Sequence, residues 1–186
     1  WNNEEIAHGD GELQERGRGN TARAKTKVTM NKSKIDELID KTEITDVVNS
    51  YFRALDEKHF DAQHFSAIFT AEAKATRPNG SSMVGPEEIR ASHARSFERF
   101  ESSQHLVAGH DISVSGDRAT ARANLVAMHM WQGGNTNANS VDNFFIAGGV
   151  IHATLVRADG QWKISQMSNN VTWRAGGFKD MLQTGR

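Results

Sequence analysis

The sequence predicts an α+β domain in which a strongly bent mixed sheet wraps around N-terminal helices. Three observations lead there. Apolar residues recur at three- and four-residue steps from Ser33 to about Phe100, which is the pattern of amphipathic helices. From His105 to Trp173 the chain turns into long strand-like stretches joined by hairpin signals, and helices followed by strands is the segregated α+β order. Gly109, Gly148 and Gly149 fall inside those strands, where glycine marks bulges or sharp bends. A sheet bent in this way buries the stripe of the first helix and leaves a pocket at its open end.

Residues 1–32 are rich in Gly, Asn, Glu, Arg and Lys without a sustained apolar period, so a disordered leader is expected there. They form either a genuine tail or sequence upstream of a natural start at Met30, and they lack the apolar centre of a secretory signal. The domain is expected over residues 33–180, with 181–186 as a C-terminal tail. Ile35, Leu38, Ile39, Ile44, Val47, Val48, Tyr51, Phe52 and Leu55 mark one stripe of the first helix, which Ser33 caps. A register shift near Lys41-Thr42-Glu43 implies a break or bend. Phe60, Phe65, Ile68 and Phe69 give a second, short helix its buried side. Ala73 to Arg77 reads as a short strand, Pro78-Asn79-Gly80 as a turn and Ser81 to Val84 as a returning strand. Gly85-Pro86-Glu87-Glu88 begins a third helix, with Ile89, Phe97 and Phe100 on its apolar side. The strands His105 to Val114, Arg118 to Trp131, Asn143 to Arg157 and Gln161 to Trp173 follow. Ser115-Gly116-Asp117 and Ala158-Asp159-Gly160 are hairpin turns, and Gln132 to Asp142 is a long polar loop.

The bulk properties narrow the partners. The 186 residues fit one ordinary domain, and a net charge of −1 with no basic stripe argues against nucleic acid. The longest apolar stretch, Phe144 to Ile151, is too short to span a membrane. Absence of cysteine removes disulfides, thiolate metal sites and cysteine nucleophiles, and fits a cytoplasmic protein. His59, His64 and His110 read as surface or structural and show no HExxH spacing; no Gly-rich phosphate loop or GxSxG elbow occurs. Neither a metal nor a cofactor is expected.

Three residues carry the functional reading. Asp56 ends the first helix, where a carboxylate opposes the negative end of the helix dipole; such local conflicts mark sites. His105 opens the first long strand, as a base or as a buried histidine bonded to a backbone carbonyl. Its parity differs from that of Ile112 and Val114, so a bulge near Gly109 is needed to point both sets inward. His129 shares a face with Ala119, Ala121, Ala123, Leu125 and Ala127, as a cavity wall or as a satisfied core histidine. A carboxylate orienting one imidazole, with a second nearby, is what proton abstraction and return at carbon require. Tyr51, the only tyrosine, lies on the buried helical stripe, as packing or as an acid. Met128, Met130, Phe144, Ile146 and Trp173 are candidate apolar walls of a substrate pocket. His152, Asn169, Asn170 and Arg174 are candidate polar lining.

Tyr51-x-x-x-x-Asp56, the Gln104-His105 strand opening, His129 in the next strand and the hairpin Val156 to Ile164 resemble the SnoaL-like branch of the nuclear-transport-factor-two-like superfamily. The resemblance spans roughly Ser33 to Phe178 and implies a cone-shaped α+β barrel. Its nearest motifs are those of scytalone dehydratase, bile-acid dehydratase and hexachlorocyclohexane dehydrochlorinase, where an Asp of the first helix supports a His that acts as base in an elimination. Asp56 and His105 match those positions, His129 matches the second His of scytalone dehydratase, and Tyr51 matches a tyrosine of bile-acid dehydratase. Leu55 and the region of Thr76 and Arg77 stand where scytalone dehydratase has its tyrosines, which argues against that substrate. The function so implied is a cofactor-independent lyase acting on a small apolar molecule. The alternatives are an isomerase or polyketide-type cyclase using the same base, or a non-catalytic ligand-binding domain. The resemblance also implies a homo-oligomer, trimer ahead of dimer.

Overall fold

The computed structural model describes the backbone of residues 16–178 and the side chains of residues 33–178. The expected leader at 1–32 lies outside the described residues as far as position 15, and its side chains do so throughout; the 181–186 tail lies wholly outside them. The chain divides into two compact units, Trp1–Ile39 and Asp40–Arg186, and helix α1, Arg16–Asp56, contributes to both. In the first unit Ile35, Leu38 and Ile39 are exposed, so the single stripe expected for the first helix is not buried along its whole length.

In the second unit α1 runs through Lys41-Thr42-Glu43 without the expected break, and the Thr45 hydroxyl donates back to the Lys41 carbonyl at 2.8 Å. The register shift marks instead the onset of burial, which starts at Ile44 and continues through Val48, Tyr51, Phe52 and Leu55. Helix α2, Ala62–Ile68, is capped by Asp61 and leads straight into β1, Phe69–Thr76. Strand β2, Ser82–Val84, returns on β1 and is followed by α3, Pro86–Phe97. Phe100 does not belong to α3; it begins β3, Phe100–Ser115, although its spacing from Phe97 is helical. Strands β4, Arg118–Trp131, β5, Phe144–Ala158, and β6, Gln161–Gly176, complete the sheet. A short turn of 3-10 helix at Val141–Asn143 closes the polar loop before β5.

The result is the expected α+β fold, with one curved six-stranded sheet in the order β2-β1-β6-β5-β4-β3. Only β1 and β6 run parallel; the other neighbours are antiparallel. Both hairpin signals hold, and at the second Asp159 and Gly160 have φ of 53° and 76°, the pair of positive angles that a tight two-residue hairpin turn requires. The bulge required near Gly109 is present: the β3–β4 register shifts between Ala108 and Asp111, and Gly109 has φ of 64°. It places Ile112 in the core while His105 also faces inward.

Strand alternation sorts the rest. In β4, Ala119, Ala121, Ala123, Leu125, Ala127, His129 and Trp131 are buried, whereas the residues between them are not. The inner residues join those of α1 from Ile44 onward, of α2 and of α3 in one core. At the turn end, Arg157 pairs with Asp40, lies 3.4 Å from Asp117 and stacks its guanidinium 4.6 Å over Trp162, whose Nε1 donates to Asp40. That cluster ties the β5–β6 hairpin to the helix. No helix among the described residues is long and apolar enough to cross a membrane.

Candidate active site

Asp56 and His105 meet at the other end of the sheet. Asp56 is the last residue of α1, and His105 lies five residues into β3, past a first stretch that pairs with the end of β4. The Asp56 carboxylate accepts twice from the same residue: the His105 backbone N–H at 2.9 Å and the His105 Nδ1 at 2.5 Å. One oxygen fixes the strand and the other fixes the ring. The His105 side chain is 5% exposed and that of Asp56 23%, so water competes little with this contact on the histidine side. With Nδ1–H donating to the carboxylate, the neutral ring carries its lone pair on Nε2. Phe52 and Phe97 flank the imidazole at 5.3 and 6.2 Å between ring centroids.

His129 lies beside it, 5.2 Å between ring centroids. Phe100 and Phe145 pack against it at 4.5 Å each between ring centroids and against each other at 5.6 Å, and Ser103 Oγ shares a hydrogen bond with its Nδ1 at 2.8 Å. Burial lowers its pKa to about 3, His105 adds to that, and Asp56 opposes it. His129 is thus a neutral imidazole at ordinary pH. Tyr51 Oη and His93 Nε2 share a 2.7 Å hydrogen bond, both residues being buried. Burial raises the Tyr51 pKa, with Arg77 opposing, so the phenol keeps its proton. Burial likewise takes His93 down to about 3, helped by Arg77 and His105.

These groups line one cavity of about 410 Å³, together with Phe52, Leu55, Phe97, Phe100, Phe145, Ile151, Met167 and other residues. That size suits a small organic molecule. Of the expected lining, Tyr51, His105, His129, Asn169 and Arg174 are there. Asp56 stands behind His105 rather than in the wall.

Several expected wall residues are elsewhere. Met128 and Met130 flank His129 in β4, so when His129 faces inward the pleat sends both to the opposite face; Met128 is 38% exposed. Phe144 and Ile146 are corrected in the same way: they pair with Met130 and Met128, and Phe145 and Ala147 take the cavity side. Trp173 pairs with Gly148 and lies so close that a Cβ on that glycine would fall 2.2 Å from its ring; it is 47% exposed and outside the cavity. His152 is exposed and lines a separate polar groove with Lys74, Arg122 and Gln166. Asn170 is exposed as well. His59 is exposed, His64 is half-buried with its backbone N–H capped by Asp61, and burial lowers the pKa of His110, none of them in the cavity.

The sequence reading missed His93, Arg77 and Arg99, all of which line the cavity. A signal for His93 existed, since it stands four residues from both Ile89 and Phe97 on the buried side of α3. Arg77 Nη2 donates to the Ser92 carbonyl at 3.1 Å and to Ser92 Oγ at 2.9 Å, while its Nε is buried without a partner. Burial lowers its pKa, Tyr51 opposes, and Arg99 and Arg95 add to the lowering. An unmet buried donor costs about 1–3 kcal/mol, so such an atom in a residue that lines a cavity is notable.

Comparison with solved structures finds the same fold in several proteins. The Kfla4162 protein of Kribbella flavida superposes with a TM-score of 0.66 at 22% identity, covering 74% of this chain and 94% of its own. A scytalone dehydratase-like protein of Novosphingobium aromaticivorans DSM 12444 gives 0.64 at 19% identity, covering 77% and 95%. A hexachlorocyclohexane dehydrochlorinase of Novosphingobium barchaimii LL02 gives 0.65 at 16% identity, covering 78% and 95%. At these identities the likeness is one of fold. No curated protein is significantly similar in sequence. The SnoaL-like domain matches residues 36–168, most of the chain, and the protein belongs to the SnoaL-like family.

Proposed function

We propose that the protein is a cofactor-independent lyase that eliminates water or halide from a small, largely apolar molecule. The observation that carries this reading is the double contact of Asp56 with His105, which leaves Nε2 as the basic atom. A purely apolar binding cavity has no need of such a pair. In the proposed step His105 Nε2 takes a proton from carbon, the C–H electrons form the new double bond, and the leaving group departs with its bonding pair. Asp56 compensates the imidazolium that forms. If Ser103 donates to His129 Nδ1, the neutral ring keeps an Nε2–H that can hydrogen-bond a departing hydroxyl or hold an oxyanion, and the proton that completes water returns from the His105 imidazolium. Tyr51 serves the same end if His93 donates to it through Nε2. Aromatic and aliphatic walls exclude water and position the substrate.

The likeness in fold to a dehydrochlorinase is in keeping with elimination. An isomerase or cyclase would use the same base without losing a group. We further propose a homo-oligomer, trimer ahead of dimer, in the cytoplasm, with 33–180 as the domain. The outer face of the sheet supports assembly: Met128, Ile146 and Trp173, which lie outside the cavity, come together there with Leu106 and Val126, and Leu106 is 60% exposed. Light scattering at roughly tens of micromolar should find more than one copy, and a monomer there would remove this part of the proposal.

The test of the reaction is incubation with β-hydroxy carbonyl and vicinal halo compounds, read by mass. Loss of water or hydrogen halide that disappears in His105→Ala supports elimination. A product of unchanged mass supports isomerisation, and turnover that survives His105→Ala refutes the proposed base.

A further inference from the structure

The charged residues that line the cavity have one sign. Arg77, Arg99 and Arg174 line it, and no Asp or Glu does, in a chain whose acids and bases nearly balance at 23 and 22. The three arginines come from different places: Arg77 directly follows β1, Arg99 joins α3 to β3, and Arg174 is in β6. Among the described residues none of the three forms an ion pair, whereas Arg90 and Arg157 do. The carboxylate directly behind the wall, Asp56, is committed to His105.

Arg77 is held differently from the two at the rim. Arg99 and Arg174 are exposed, while Arg77 is half-buried and anchored through Nη2 to the Ser92 backbone and hydroxyl on α3. That anchor fixes the guanidinium plane and leaves Nε, buried, with no acceptor. A guanidinium anchored on one side and lining the cavity is suited to a planar carboxylate, and two further cations at the rim favour the same charge. The rest of the wall, including Phe97, Phe145, Ile151 and Met167, is apolar.

We infer that the substrate is a small organic carboxylate, its apolar body against the aromatic wall and its carboxylate on Arg77, drawn in by Arg99 and Arg174. This rests on the reading of the cavity as the site of the His105 chemistry and narrows its substrate class. The charge has a use there: an anion held at Arg77 sets which end of the molecule meets the base and keeps neutral apolar compounds weakly bound.

Binding of 2-naphthoate and of 2-naphthamide, nearly equal in shape and different in charge, tests this by calorimetry. Wild-type protein should prefer the carboxylate by about tenfold or more, and Arg77→Gln should erase the preference. Arg99→Gln and Arg174→Gln, both at exposed positions and so less disruptive to folding, should each weaken the carboxylate by about two- to fivefold. Equal binding of the two probes to wild type, or a preference untouched by all three substitutions, overturns the inference. His105→Ala separates this result from the reaction. A preference that persists in that variant stands even if no elimination is found, and one that vanishes there while surviving Arg77→Gln would assign the anion to His105 instead.

Discussion

The two ends of the same sheet are built from the same strands and are filled in opposite ways. At the end with the β3–β4 and β5–β6 turns, α1 presents Ile44 and Val48, β5 presents Leu155 and β6 presents Ile164, all essentially without exposure. The polar groups there, Arg157 with Asp40 and Asp117, stay at the periphery and pair with each other. At the far end α1 presents Tyr51 and Asp56, α3 His93, β3 His105 and β4 His129, and a cavity remains between them. Apolar side chains, with Phe69 and Trp162 among them, close one end by filling its space. Imidazoles and other hydrogen-bonding groups, which must find partners, surround the cavity at the other end. The turn end is thus the tightly filled part of the fold, and the open end is where the proposed function is placed.

Substitutions can break or sharpen that contrast. The largest effect is expected on rate: with a substrate in hand, His105→Ala and Asp56→Asn should each lower turnover by about 10²–10⁴-fold, with little change in melting temperature. The double variant should lose little more than the worse single one, because the pair acts as a unit. Near-additive losses would mean that the carboxylate and the imidazole serve separately. At the turn end Leu155→Ala should cost about 2–5 kcal/mol of stability by chemical denaturation while leaving any binding in the cavity intact. A loss below about 1 kcal/mol would show that this end is less tightly filled than its burial implies.

A smaller effect follows from the buried histidines. His93 and His129 have folded pKa values of about 3 against an ordinary 6.5, because burial disfavours the charged ring. Between those values the unfolded chain binds protons that the folded chain does not. Stability is therefore complete above pH 6.5 and falls as the pH drops toward 3, by at most about 1.4 kcal/mol per pH unit for each histidine. Melting temperatures at about pH 7.5 and about pH 5 should show this, and His129→Phe, packed against Phe100 and Phe145, should flatten the decline. An unchanged decline would place the acid sensitivity elsewhere. The smallest effect is expected for Met128→Ala on the outer face: no change in cavity binding, and a stability change within about 0.5 kcal/mol for the isolated subunit, measured by ligand titration and melting.

The order of elements, the hairpins and the bulge at Gly109 were legible in the sequence because each leaves a local mark: a period, a turn pair, a parity conflict. The approach of Asp56 to His105 was legible through a helix end that breaks a local rule and through resemblance. The walls were misread where a residue's neighbours were ignored. Met128 and Met130 cannot share a face with His129, and Phe144 and Ile146 follow from the β4–β5 register, which only pairing fixes. His93 could have been found by extending the Ile89–Phe97 stripe. Arg77 could not, because an arginine between a short strand and a turn reads as solvated until its burial and its contact with Ser92 are known. Phe100 was assigned to α3 for want of any sequence mark at Glu98 that ends the helix.

The elimination proposed for the open end depends on which nitrogen of His105 is free, and nitrogen-15 spectroscopy of the histidine side chains measures that without a substrate. The neutral His105 ring should carry its proton on Nδ1, toward Asp56, with Nε2 unprotonated, and Asp56→Asn should disturb that signature while leaving those of His93 and His129 in place. A proton on Nε2 of the neutral ring in the wild-type protein would contradict the base assigned here.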